Sequence, residues 1–151
     1  MILVKNIDQY NENYVYFCDP IKNNIMNEGT FSRIIYSTPR LSINGIFINI
    51  LLNDICIEKY YNKLKCTYNI FSNQQLFEDI KIIETALLKK INIPKIPQFK
   101  IYDQLRSGCI KIFNENSIIS NYNFLLKISG VWESDMHYGL TFKFITLTNH
   151  L

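Results

Sequence analysis

Lys127 and Lys143 lie in two runs where apolar and polar residues alternate, and together they offer the chemistry of phosphate binding. In the later run Tyr138, Leu140, Phe142 and Phe144 share one parity, and Gly139, Thr141 and Lys143 share the other. In the earlier run Phe124, Leu126 and Ile128 alternate with Lys127 and Ser129. Period two marks a strand with one buried and one accessible face. The polar residues 133–137 between the runs predict a hairpin. A turn centred near Asp135 sets Lys127 opposite Lys143 and Ser129 opposite Thr141. Like charges directly opposite each other on a sheet are destabilising, and a phosphate lying between them removes that cost. The competing reading is that both lysines only solubilise an outer face.

Three other groups could serve the same chemistry. In residues 43–52, Ile46, Ile48, Ile50 and Leu52 fall on one face and Gly45, Phe47, Asn49 and Leu51 on the other. Phe47 therefore stands on a partly polar face, as a base-stacking platform or as packing beneath a loop. Residues 31–40 form a strand closed by Pro39 and hold Arg33, Tyr36 and Arg40, a basic and aromatic flanking contact for a nucleic-acid strand. The same segment also reads as a connector with solvated arginines. Trp132 shares the parity of Leu126 and Ile128 and is expected to be buried, unless a bulge at Gly130 turns it outward.

Catalytic chemistry has little to build on. The five glycines are isolated, so the sequence contains neither a phosphate-cradling loop nor a dinucleotide fingerprint. Two histidines, His137 in a turn and His150 near the end, give no metal-ligand spacing and no nucleophile–base pair. The four cysteines, Cys18, Cys56, Cys66 and Cys109, are far apart, sit in apolar runs, and read as reduced and buried. The sequence predicts no enzyme, no cofactor and no metal.

The elements that position these residues follow from composition and period. At 151 residues, 48% hydrophobic and 19% charged, the chain is expected to be one folded domain over residues 1–151. A net charge of +3 permits a nucleic-acid partner without requiring one. The opening apolar run is too short for a signal peptide, and no stretch reaches the roughly 20 apolar residues of a membrane span. An intracellular, soluble protein is expected, without a membrane partner. Strands are expected over 14–18, 31–38 and 43–52, and again over 55–61 and 64–70, the last three as a meander with Tyr60 or Tyr61 exposed. Residues 73–91 then switch to helical spacing, with Leu76, Phe77, Ile80, Ile83, Leu87, Leu88 and Ile91 on one face and Glu78, Lys81, Glu84, Lys89 and Lys90 on a solvated one. Ser72 and Gln75 have the spacing of a capping box. An extended connector with Pro94 and Pro97, a short strand at 99–102, a turn at 103–108, a strand at 109–113 and a polar loop at 114–123 lead to the closing hairpin. Edge strands within 1–18 or 99–113 could pair between subunits and give self-association.

This is a mainly β, α+β chain with one amphipathic helix, and its order of strands, helix, strand and hairpin fits an OB-like Greek-key barrel of five to seven strands. A resemblance points the same way. Gly130-Val131-Trp132, the glycine seven residues on at Gly139, and Gly139-Leu140-Thr141-Phe142-Lys143 resemble the final hairpin of single-stranded DNA-binding proteins from large nucleocytoplasmic DNA viruses. The match covers about a tenth of the chain. It implies an OB-like barrel that coats single strands without catalysis during viral DNA replication or repair, in the host cytoplasm or nucleus. It marks Trp132, Gly139, Thr141 and Lys143 as motif positions. Single-stranded DNA is therefore the expected partner. An RNA-binding or transcription-associated barrel and a virion-assembly scaffold are the alternatives.

Overall fold

Alternating apolar residues build two sheets, in a computed structural model that describes residues 6–22, 29–113 and 123–147. Two 3-10 turns, Ile7–Gln9 and Glu12–Tyr14, lead into β1 (Val15–Phe17). β2 (Ile21–Lys22), β3 (Thr30–Ser37), β4 (Ser42–Asn44) and β5 (Ile46–Ile50) follow. The hairpin of β6 (Ile55–Tyr60) and β7 (Lys63–Tyr68) precedes helix α1 (Gln74–Ile91). After it come β8 (Ile96–Gln98), helix α2 (Lys100–Arg106) and β9 (Cys109–Phe113). The chain then closes with β10 (Asn123–Glu133) and β11 (His137–Leu147).

The larger sheet runs β1–β3–β10–β11–β8, with β2 and β4 also paired to β3 and β5 paired to β10; β6, β7 and β9 form a second sheet. The architecture is mainly β: a sheet curled into a half-barrel and one long helix. Ile34, Ile48, Leu126 and Leu140 from the larger sheet, Cys66 and Ile110 from the smaller, and Leu87 from α1 belong to one buried cluster. Leu87 has no exposed surface, so Leu87→Ala should cost about 2–5 kcal/mol through lost burial and the cavity left behind. Among the described residues no helix is long and apolar enough to cross a membrane.

Several expectations are corrected by the structure. The strand expected over 43–52 bends at Gly45, whose φ of +89° suits glycine and ends β4. Beyond the bend β5 pairs with β10 and not with β6, so the three-stranded meander does not form. Asn73 holds the chain just after β5. Its buried side chain accepts a 2.8 Å hydrogen bond from the Asn53 amide and donates to the carbonyls of Asn53 and Asn69 at 3.0 and 2.7 Å. That clamp ties the end of the β5 segment to the start of α1. Both Tyr60 and Tyr61 are exposed. The expected capping box is absent: the Ser72 hydroxyl donates to Asp54, and Gln75 donates to Asp79.

The short strand expected at 99–102 is the start of α2, since Ile101 and Leu105, one helical turn apart, are both fully buried. The chain therefore has a second helix, and residues 100–106 offer no strand edge for self-association. Glu84, assigned to the solvated face of α1, is completely buried. Its carboxylate accepts from the Ile101 and Tyr102 amides, both at 3.0 Å. These are the second and third residues of α2, whose N-cap is Phe99, a side chain that cannot accept. Glu84 thus caps α2 from a different helix. Burial pushes its carboxyl above the ordinary range, the two amide hydrogen bonds oppose that rise, and nearby Asp103 adds to it. All four cysteines are free; Cys66 is buried, Cys18 and Cys109 are half-buried, and Cys56 is exposed, contrary to the expectation that all are buried. Burial raises the Cys66 thiol to about 11, with Cys109 contributing. The polar loop expected at 114–123 falls almost wholly outside the described residues, as does His150.

Candidate nucleic-acid interface

The β10–β11 hairpin forms with the expected turn, and Lys127 pairs with Lys143. β10 also pairs with β5, so Phe47 stands next to Lys127 on the other side. The row across three strands is Phe47–Lys127–Lys143, and the Lys127 ammonium sits 5.5 Å from the centre of the Phe47 ring. A cation over an aromatic face is held by the ring quadrupole, weakly where it is exposed.

Ser129 does not pair with Thr141. The register slips between Ile128 and Gly130, and Gly130 takes Thr141 as its partner. This bulge inverts the parity of the rest of β10. Val131, not Trp132, continues the buried row of Leu126 and Ile128, at 1% exposure. Trp132 consequently turns to the lysine side of the sheet, half-buried, which corrects the expectation of a buried tryptophan. The Lys100 ammonium lies 4.6 Å from the centre of its ring. Its backbone is fixed on both sides, by Phe31 of β3 and Gly139 of β11. At the hairpin's end the Glu133 carboxylate meets the Lys95 ammonium at 2.8 Å and accepts from the Thr30 hydroxyl at 3.2 Å.

β3 adds two more groups. Phe31 and Arg33 point away from the core, while Ser32, Ile34 and Tyr36 point into it. Gly130 faces Arg33, and the Phe31 ring covers Gly130 so closely that a Cβ there would stand 2.5 Å from Phe31 Cζ. Phe31, Arg33, Asn44, Gly45, Lys127 and Ser129 line a cleft of about 300 Å³. No ion pair joins Lys127, Lys143 or Arg33 to a carboxylate among the described residues.

Of the seven residues expected at the site, Lys127, Lys143, Phe47, Arg33 and Trp132 therefore share one face. Tyr36 does not. It is 2% exposed, its hydroxyl accepts from the Asn11 amide at 3.1 Å, and Tyr10 and Tyr14 pack on its ring. A side chain so enclosed has no face for a base. Arg40 is exposed in the turn between β3 and β4, beyond the four residues of strand, about 13 Å, that follow Arg33. Sequence reasoning passed over Phe31, which has the parity of Arg33 two residues earlier, and Lys100, whose approach to Trp132 depends on the unexpected α2.

The arrangement can neutralise phosphates with three cations and offers partly exposed rings of Phe31, Phe47 and Trp132 for stacking. Among the described residues no cluster of histidine, cysteine, aspartate or glutamate could hold a metal ion. No family model, no curated protein and no solved structure matches the chain.

Proposed function

We propose that the lysine-bearing face of the larger sheet binds single-stranded DNA, without catalysis and with little sequence preference. The observation that carries this reading is the bulge at Ser129, which turns Trp132 onto the face that already holds Lys127, Lys143, Arg33 and Phe47. Unpaired bases have two open faces, and aromatic groups interleaved with cations suit them. A rigid duplex cannot present its bases to such rings. Lys127 and Lys143 neutralise phosphate, Phe47, Phe31 and Trp132 stack, and Arg33 adds charge at the cleft. The curled sheet with its long helix between β7 and β9 supports an OB-like reading of the fold, and the hairpin's resemblance to the viral single-strand binders supports the choice of DNA.

The test is fluorescence anisotropy with a labelled single strand of about 30 bases, longer than the roughly 4–16 nucleotides one such face covers, at several salt concentrations. Binding should weaken steeply with salt, and the slope should shrink in Lys127→Ala/Lys143→Ala. No binding at low salt would remove this reading. RNA competes in the same assay, and a preference for it would signal contacts to the 2′-hydroxyl. A protein-binding scaffold is the second reading, favoured by the neighbouring exposed Ile70 and Phe71, the latter 81% exposed.

A further inference from the structure

A second lysine pair occupies the smaller sheet in the same cross-strand arrangement. Lys65 of β7 pairs with Lys111 of β9 on one side and Glu58 of β6 on the other, and Lys63 pairs with Tyr60. Alternation along β7 buries Leu64, Cys66 and Tyr68, so Lys63 and Lys65 share the opposite face. We propose that this face of β6, β7 and β9 is a second contact for the phosphate backbone of the same single strand; the proposal rests on the single-strand reading of the larger sheet.

Three observations carry it. Lys65 and Lys111 are exposed, stand opposite each other, and make no ion pair among the described residues. A pair of like charges costs a sheet stability, and a bound polyanion reverses the sign of that cost. Tyr60 is 65% exposed and meets Tyr61, 83% exposed, edge to face at 4.7 Å between ring centres. The cations and Tyr60 gather around a cleft of about 410 Å³, lined by Glu58, Lys59, Tyr60, Lys63, Lys65 and Lys111. Tyr60, which pairs with Lys63, lines the same cleft as the Lys65–Lys111 pair. Among the described residues that line the cleft, Glu58 is the carboxylate and Lys59, Lys63, Lys65 and Lys111 are the cations.

Strand length separates the two faces. A labelled oligothymidylate of about 10 bases can occupy one OB-like face, which covers on the order of 4–16 nucleotides, whereas one of about 40 can reach both. Lys65→Ala/Lys111→Ala should bind the short strand as the unsubstituted protein does. It should bind the long strand more weakly, with the salt slope reduced by about 0.7 for each lysine removed. The thermal midpoint should not fall, since the substitutions remove two like charges from facing positions. Long-strand affinity and slope equal to those of the unsubstituted protein, while Lys127→Ala/Lys143→Ala still impairs binding, would overturn the second contact and leave the first face standing. Equal losses on short and long strands would overturn it as a separate contact. An unsubstituted protein that binds neither strand would remove the single-strand reading, and the second contact with it.

Discussion

The indole of Trp132 covers Gly139, its partner across the hairpin: a Cβ on Gly139 would stand 2.8 Å from Trp132 Cζ2 and 3.0 Å from Cε2 and Nε1. The seven-residue spacing between them therefore has a physical meaning. Once the register slips at Ser129, these two positions face each other, and only a residue without a side chain leaves room for the ring. Gly130 under Phe31 repeats the arrangement one strand away. Two glycines thus seat two aromatic rings on the face that holds the lysines.

Gly139→Ala should displace the indole. The methyl meets the ring itself and not a flexible chain end, so the cost should be about 1–3 kcal/mol, the usual range for overpacking. Trp132 is the only tryptophan in the chain, so intrinsic emission reports the displacement and urea unfolding reports the cost. An unchanged spectrum together with an unchanged midpoint would show that the ring does not rest on Gly139.

Stacking and charge should separate in the salt dependence. Trp132→Ala should weaken single-strand binding by about 1–3 kcal/mol, about five- to 150-fold in affinity, with the salt slope preserved. Lys127→Ala/Lys143→Ala should instead reduce the slope by about 0.7 per lysine. Anisotropy titrations at four or so salt concentrations measure both, and a Trp132→Ala variant with unimpaired affinity would remove the indole from the interface.

Tyr36→Phe should alter stability and leave binding alone. It removes the hydroxyl that accepts from the Asn11 amide, a loss of about 0.5–1.5 kcal/mol visible in the urea midpoint. Reduced single-strand affinity at full folding would return Tyr36 to the interface.

Glu84 should make stability depend on pH in an unusual direction. Its folded carboxyl is raised above the ordinary value, chiefly by burial, so the folded state holds the proton more tightly than the unfolded chain does. The contribution is fully present below the unfolded pKa and is lost as pH rises through the folded one. Between those two values, unfolding free energy should fall with rising pH in the unsubstituted protein relative to Glu84→Gln. Urea titrations of both proteins across that interval check it, and parallel pH profiles would refute it. Glu84→Ala strips the acceptor from one buried and one part-buried amide of α2 and should cost about 2 kcal/mol or more at neutral pH.

The pairing of Lys127 with Lys143, the closing hairpin and the span of α1 were legible in the sequence, because each depends on local information: a period, a short polar turn, a run of apolar residues at helical spacing. Period two also separates Arg33 from Tyr36, three residues apart and hence on opposite faces. The face taken by Trp132 was not legible, because one bulged residue reverses the parity of the rest of β10 and its position is set by pairing with β3 and β11. The partner of β5 was not legible either, because β10 lies far along the chain and the two meet only in the folded sheet. The burial of Glu84 was decided by where α2 begins, since a carboxylate enters a core only where donors from another element arrive to meet it. Alternation and helical period are properties of neighbours along the chain. Register between distant strands and the pairing of buried polar groups arise only when the elements meet.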